Sequence, residues 1–305
     1  MEEYDLVIIG GGPAGYSAGI YGARFNLKTL IITKLDGGLI STTHLVENYP
    51  GFPSISGQEL ANNMLEHVKA NNIPILNDEV SSINKKGKEF ILKTQILEKK
   101  IKAKALIIAT GSIHKHLGIK GEKEFLGKGV SYCATCDGNF FRNKVVGIIG
   151  GGNVAVKDAM VLGQLAKKVY MFVRSTIKAE PINVGYLKKY KNIEIIEGVN
   201  VKEIGGKNKV EYVKLDKKIN SSNQINLDGI FIAIGQMPQS SLAKDLNIKL
   251  NSKKEIVVNR EFETSIKGVM AAGDITNTNL KQAITASAQG AHAGYSAYNY
   301  VNKEF

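Results

Sequence analysis

The sequence predicts an α/β protein of two Rossmann-like dinucleotide-binding domains, each of the three-layer ββα type, the second inserted in the first. Three observations lead there. A unit of strand, glycine turn, helix and strand occurs twice, at residues 4–33 and 144–174. An apolar segment that ends on a glycine also occurs twice, at 105–112 and 229–236. The chain has 305 residues, enough for two cores but hardly three, since domains usually run to ~100–200 residues.

In the first unit, YDLVIIGGGPAGYSAGIYGARFNLKTLIIT, a β-branched run enters a turn with the spacing Gly10-x-Gly12-x-x-Gly15. A helical stretch of small and apolar residues and a second apolar strand follow, the order a dinucleotide site demands. Gly10 permits the tight turn and Gly12 lets the backbone approach a pyrophosphate. Gly15 lets helix and strand pack closely and leaves the helix N-terminus aimed at the anion. After the second strand, where many such folds carry an acid for a ribose, stands Thr33, with Asp36 close enough to substitute. Ser56-Gly57-Gln58-Glu59 is a capping box that opens an amphipathic helix to about Asn71, and strands are expected around 79–84 and 89–94. The second unit, KVVGIIGGGNVAVKDAMVLGQLAKKVYMFVR, carries the small-residue variant Gly150-x-Gly152-x-x-Ala155. One such motif is a weak signal; two in the same context are a strong one. The segments at 105–112 and 229–236 close each sheet and mark the crossings between domains. The first domain is therefore expected at 1–113 and 245–305, and the inserted domain at 117–243. The return carries a strand at 268–274 and a small-residue helix over about 279–300.

The chain is 43% hydrophobic and 22% charged, as in ordinary globular proteins. Its net charge of +12 comes from lysines dispersed in pairs such as Lys85-Lys86, Lys99-Lys100 and Lys188-Lys189. These read as solvated faces that can also steer an acidic protein partner, not as a nucleic-acid stripe. No basic leader and no apolar run near ~18–20 residues is present, so a cytoplasmic protein with no membrane span is expected. The only two cysteines are Cys133 and Cys136, in one C-x-x-C. A secreted disulfide framework needs more, at wider spacing. Zinc needs two further ligands, and no second C-x-x-C accompanies the five scattered histidines, so no metal is expected. The spacing puts two sulfurs within disulfide reach, and one thiol of such a pair can acquire a lowered pKa. A silent buried pair is the alternative, made less attractive by Asp137 directly after Cys136. His44, His67, His114, His116 and His292 read as surface or packing residues.

The motifs GGGPAG, GG…VENYPGF, ATG, CATCD, GGGNVA, AIGQMP, AAGD and KQAITASAQG run through the whole chain in that order. Together they resemble the low-molecular-weight thioredoxin reductases of bacteria and archaea, FAD-dependent pyridine nucleotide-disulfide oxidoreductases. The resemblance implies FAD in the first domain, its pyrophosphate on Gly10, Gly12, Ala14 and Gly15. It implies a cofactor loop from Thr33 through Asp36, Gly37 and Gly38 to Leu39, and Asn48 near the isoalloxazine. Ala109, Thr110 and Gly111 would line the same cofactor, Gly273 and Asp274 would meet the ribityl-phosphate, and Gln282, Ala283 and Ile284 would lie at the flavin ring. Pro13, Thr42 and Val80 in the first domain, with Asn153, Val154, Ile234 and Gly235 in the second, complete the cofactor-binding set. Leu39 stands where the family often has Gln, so one flavin hydrogen bond is expected to be missing or supplied by water. The resemblance further implies that Cys136 faces the flavin, that Cys133 attacks the protein disulfide, and that Asp137 is the general acid/base. It implies a homodimer as well.

The electron donor is less firmly encoded. NAD reading normally uses an acid after the second strand, and NADP reading uses arginines for the 2′-phosphate. The family's His-Arg-Arg followed by another Arg is reduced here to Val173-Arg174-Ser175 and Lys178, and no acid stands at the reading position. Arg174, Lys178 and the hydroxyls of Ser175 and Thr176 can hold a phosphate loosely. Loss of a bidentate arginine contact costs about 1.5–3 kcal/mol. NADPH is the expected donor, then NADH, then a deazaflavin or ferredoxin. The expected function is a thioredoxin-disulfide reductase passing electrons from NAD(P)H through FAD and Cys133–Cys136 to a thioredoxin-like or glutaredoxin-like small protein. The alternatives are a reductase on the same scaffold with a non-nicotinamide donor, and a redox-sensing flavoprotein without turnover. Dithiol and nicotinamide share one domain and must both reach the flavin on the other. The second domain is therefore expected to rotate on the crossings near Ser112–His116 and Pro238–Lys244.

Overall fold

The computed structural model describes residues 1–43, 46–219 and 221–305. The chain opens with β1 (Glu2–Ile9), α1 (Pro13–Arg24), β2 (Thr29–Thr33), α2 (Gly57–Ala70), β3 (Ile75–Asn77), β4 (Val80–Lys86), β5 (Glu89–Thr94) and β6 (Lys100–Ile108). The middle holds β7 (Ser112–His114), β8 (Val130–Ser131), α3 (Ala134–Asp137), β9 (Val145–Ile149), α4 (Asn153–Leu165), β10 (Lys168–Val173), α5 (Pro181–Leu187) and β11 (Ile193–Glu197). There follow β12 (Val201–Gly205), β13 (Tyr212–Ile219), β14 (Ser222–Asn226), β15 (Gly229–Ile232) and β16 (Gln236–Pro238). The last elements are β17 (Val269–Ala271) and α6 (Ala283–Glu304). Two units result, Met1–Ile113 with Met237–Phe305, and His114–Gln236. The crossing strands β7 and β16 pair with one another.

The first unit has the strand order β3-β2-β1-β6-β5-β4, with β17 also on β6. One strand serves two layers. Lys100–Ala103 of β6 pairs antiparallel with β5, while Leu106–Ile108 runs parallel to β17. Side chains alternate across the parallel strands, as the pleat requires. Val7, Ile9, Leu30 and Ile32 pack with Val80, Ile83, Phe90 and Leu92 of the antiparallel strands. Leu6, Ile8 and Ile31 pack with Ala14, Tyr16 and Ala18 of α1 and Ala293 and Ala297 of α6. The strands are continuously apolar because both faces are covered. At α2 the Ser56 Oγ accepts the Glu59 N–H at 3.1 Å, the capping bond that the sequence signals.

The chain rejoins this unit at Met237, earlier than the expected return at 243–245. Leu242, Ala243 and Leu246 are buried in the same core as Val80 and Ile83, and Asp245 accepts the Ile83 N–H at 2.9 Å. Burial against β4 places this stretch in the first unit, and the boundary falls just after the Gly235 that ends the apolar segment.

The second unit repeats the plan with a parallel sheet in the order β11-β10-β9-β15-β8. Ile149, Phe172, Ile230 and Ile232 share a core with the antiparallel β12–β13–β14 layer. Val146, Ile148, Val169, Met171 and Phe231 share the other with Ala134 of α3 and Ala155, Ala159 and Leu162 of α4. No helix among the described residues is long and apolar enough to cross a membrane.

Candidate active site

In the first unit, Gly10 holds φ 121°, a region that glycine enters without a Cβ penalty. A Cβ there would strike the Ala109 carbonyl, and one at Gly15 would strike the Gly10 carbonyl. Gly12 differs. It is the N-cap of α1 with no side-chain cap, and a Cβ would meet only Gly37 O at 3.8 Å and Gly38 Cα at 3.9 Å. The first-turn amides after Pro13, at Ala14 and Gly15, therefore face a cradle between Gly12 and the Gly37–Gly38 loop. A pyrophosphate fits such a helix end. The loop is held by Tyr16, which donates its hydroxyl to Asp36 Oδ1 at 3.2 Å and accepts the Gly37 N–H at 3.1 Å. Burial pushes the Tyr16 phenol up, beyond its ordinary range. Thr33 is buried and turns its hydroxyl onto the backbone of Leu35, so the exposed carboxylate beyond this strand belongs to Asp36. Leu39 and Thr42 lie in the 3-10 turn Gly38–Thr42, where the Thr42 hydroxyl donates to Leu39 O at 2.8 Å.

Gly273 approaches the same helix end from the other side. It has φ 83°, its N–H donates to Gln289 Oε1 at 2.8 Å, and a Cβ would come within 3.0 Å of Ala14 Cβ. Burial raises the neighbouring Asp274 carboxyl, against the opposing effects of Lys281 and Ser112. Lys281 Nζ donates to Asp274 O at 2.7 Å and to Glu255 Oε1 at 2.8 Å. Asn48 Nδ2 donates to Gln282 Oε1 at 3.1 Å, and Gln282 caps α6, whose first residues are Ala283 and Ile284. Thr110 is tied to Gln239 by its hydroxyl at 2.9 Å and its carbonyl at 2.7 Å; Gly111 follows with φ 67°. Val80 stands apart, its side chain packed in the core beside Ile9 and Ile32. Tyr16, Lys281 and Gln289 are supports that the motif reading missed. A buried tyrosine or glutamine among small helical residues was the available signal.

In the second unit Gly150 holds φ 144°, and a Cβ would strike the Ala233 carbonyl. Gly152 caps α4 without a side chain and with nothing within 4 Å of a Cβ, the same kind of cradle. Asn153 is committed to α5: its Oδ1 accepts from Glu180 N–H at 2.8 Å and from Asn183 Nδ2 at 3.2 Å. Val154, the next residue, is exposed. The loop after β10 folds back over the turn, with the Lys178 N–H on Gly151 O at 2.7 Å. Arg174, Ser175 and Lys178 are exposed on it. Ile234 packs against the core on the β12–β14 side, and Gly235 has φ 102°. Strand pairing adds an acid that the sequence reading did not find. Glu197 ends β11 as the register partner of Val173, and its Oε1 accepts the Ile177 N–H at 2.8 Å.

The dithiol lies on the same sheet edge. All five strands are parallel, so the ends of β8, β9, β10, β11 and β15 share one side. Cys133 follows β8, two strand spacings, or about 10 Å, from the β9 turn. Cys133 and Cys136 are disulfide-bonded with Cα atoms 5.3 Å apart. Cys133 caps α3, its Sγ accepting the Cys136 N–H at 3.1 Å. Ser131 is buried, donates to Asp137 Oδ2 at 2.6 Å and accepts the Cys133 N–H at 3.0 Å. Tyr132 donates its hydroxyl to Glu122 Oε1 at 2.7 Å, and His116 Nδ1 lies 2.8 Å from that hydroxyl. Burial raises the Glu122 carboxyl, but hydrogen bonds from Tyr132, Leu117 and Gly118 outweigh it and hold the group below its ordinary value. His114 stacks on Tyr132 at 5.0 Å and is pushed down by burial. His292 packs edge-on to Phe262, His67 is exposed at the end of α2, and His44 lies outside the described residues. Ser131 thus contacts the redox loop directly and Tyr132, next to Cys133, is tied to Glu122, contacts that C-x-x-C spacing does not reveal.

The family model for pyridine nucleotide-disulphide oxidoreductases matches residues 4–290. Along its length the chain is similar to the thioredoxin reductase of Bacillus subtilis (strain 168), 39% identical over 304 residues that cover 98% of this chain and 95% of that one. Among solved structures it is similar to thioredoxin reductase from Streptococcus pyogenes MGAS5005, with TM-score 0.91, 37% identity and 99% of each chain covered. It is also similar to thioredoxin reductase from Giardia duodenalis, with TM-score 0.92 and 33% identity, over 99% of this chain and 100% of the other.

Proposed function

Because the chain belongs to the pyridine nucleotide-disulphide oxidoreductase family, we propose that it reduces the disulfide of a small thioredoxin-like or glutaredoxin-like protein, taking electrons from NADPH through FAD and Cys133–Cys136. The observation that carries this is the disulfide between the chain's only two cysteines, on the sheet edge that also carries the Gly150–Gly152 turn. FAD in the first unit is supported by the cradle of Gly12, Gly37 and Gly38 at the α1 N-terminus, with Asp274 and the Asn48–Gln282 pair as further polar contacts. NADPH in the second is supported by the cradle at Gly152 and by Arg174 and Lys178 beside it. A homodimer, a cytoplasmic location and a rotation of the second unit on its two crossings belong to the same proposal.

FAD held by Gly12, Gly37 and Gly38 at the α1 N-terminus would supply the two-electron chemistry that links a nicotinamide hydride to the disulfide. Reduction breaks the Cys133–Cys136 bond and leaves two sulfurs, Cys136 being the one assigned to the flavin side. The Cys136 N–H aimed at Cys133 Sγ favours negative charge there, which suits Cys133 as the attacking thiolate. Cys133 forms a mixed disulfide with the partner and releases one partner thiolate. Cys136 then attacks Cys133, restores the internal disulfide and releases the second partner thiol. In this reading Asp137, whose carboxylate accepts the Ser131 hydroxyl, moves the proton that this exchange releases and takes up.

Turnover of NADPH with an oxidised thioredoxin tests the proposal. The native protein is expected to form two partner thiols per NADPH, and Cys136→Ser is expected to lose that turnover while its flavin is still bleached by NADPH. Undiminished turnover in Cys136→Ser would overturn the dithiol route. Failure of the native protein with thioredoxin, alongside ready turnover with ferredoxin, would favour the same scaffold in another role.

A further inference from the structure

The loop proposed to read the nucleotide's 2′ position carries two cations in its sequence, but the fold sets an anion against it. Arg174 and Lys178 bracket the turn after β10. β11 runs parallel to β10 with Glu197 paired to Val173, so the last side chain of β11 emerges beside the first residue of that turn. Glu197 is exposed, and its carboxylate closes on the turn by accepting the Ile177 N–H at 2.8 Å. The Gly198 N–H donates to Ser175 O at 3.1 Å, which ties the other half of the turn to the same strand end. The carboxylate is thus fixed at the sheet edge where ligands of such sheets bind, next to the strand end from which a ribose is read.

We infer that Glu197 is a specificity-determining residue of this site: its carboxylate opposes a 2′-phosphate and leaves the site poorly selective between phosphorylated and unphosphorylated nicotinamide nucleotides. The inference rests on the reading of the second unit as the nicotinamide-nucleotide domain. A phosphate monoester carries close to two negative charges near neutral pH, so it meets the carboxylate with repulsion that offsets part of its attraction to Arg174 and Lys178. A 2′-hydroxyl carries no charge and can donate to the same carboxylate. Each exposed charge pair is weak, so discrimination is reduced rather than reversed.

The test is calorimetric titration of the FAD-loaded protein with adenosine 2′,5′-bisphosphate and with 5′-AMP, which differ only at the 2′ position. Glu197→Gln removes the charge but keeps an oxygen that can accept the Ile177 N–H, so the turn is preserved. The expected result is native affinities within about tenfold of one another, with the variant binding the bisphosphate roughly three- to tenfold more tightly and 5′-AMP no more tightly. The gain should shrink at high salt. If both nucleotides bind and their ratio is the same in the two proteins, Glu197 does not act on the 2′ position and the inference is overturned. If neither nucleotide binds either protein, the nucleotide reading of the unit fails and takes the inference with it.

Discussion

Ser131 carries two hydrogen bonds at the point where a strand becomes the redox loop. Its hydroxyl donates to Asp137 at 2.6 Å and accepts the Cys133 N–H at 3.0 Å. The serine thus holds the Asp137 carboxylate and the Cys133 backbone in one arrangement. Ser131→Ala is therefore expected to slow thioredoxin turnover, while flavin reduction by NADPH is unchanged. Loss of buried hydrogen bonds should also cost about 1–3 kcal/mol of stability in denaturant unfolding. Thioredoxin turnover that is unchanged in the folded variant would make the serine structural only. At this scale the glycines and cysteines were legible in the sequence, because their effect is local: a positive φ at Gly10 or Gly150, a three-residue reach between sulfurs. Ser131, Glu122 and Glu197 were not. Their partners are brought to them by an edge strand, by a loop ten residues away in the case of Glu122 and Tyr132, or by strand pairing across twenty residues in the case of Glu197 and Ile177.

Among the elements, α4 carries an internal cost. It follows the Gly150–Gly152 turn, packs Ala155, Ala159 and Leu162 into the core, and half-buries Asp158, whose carboxyl burial alone pushes up to about 6. The unfolded carboxyl titrates near ~3.9, so between there and about 6 the native state binds more protons than the unfolded one. Stability must therefore fall as pH rises through that window and stay reduced above it. Asp158→Asn should unfold at higher urea concentration near pH 8, by about 1–3 kcal/mol, and gain little near pH 4. An equal gain at both pH values would assign the effect to packing instead of charge. Both β-α-β units were legible because β-branched runs and glycine spacing declare themselves within thirty residues. The return of the chain at Met237 is not legible in the sequence, because Leu242 and Ala243 are placed by a core whose other members, such as Val80 and Ile83, lie far away in sequence.

The whole molecule repeats one three-layer plan, and only the second copy carries the dithiol. Its sheet edge carries both Cys133–Cys136 and the Gly150–Gly152 turn, while the first copy carries the matching Gly10–Gly12 turn. The net +12, spread over dispersed lysines, is a field that attracts acidic protein surfaces. The central claim is that flavin and dithiol form one electron store, filled from a nicotinamide and emptied at Cys133. Anaerobic titration of the FAD-loaded protein with NADPH, following the flavin's visible absorbance, tests this most directly. Full bleaching should require about two equivalents in the native protein, one for the flavin and one for the disulfide, and about one when Cys133 and Cys136 are both changed to Ser. An endpoint of one equivalent in both proteins would mean that electrons do not pass to Cys133–Cys136, and would contradict the route.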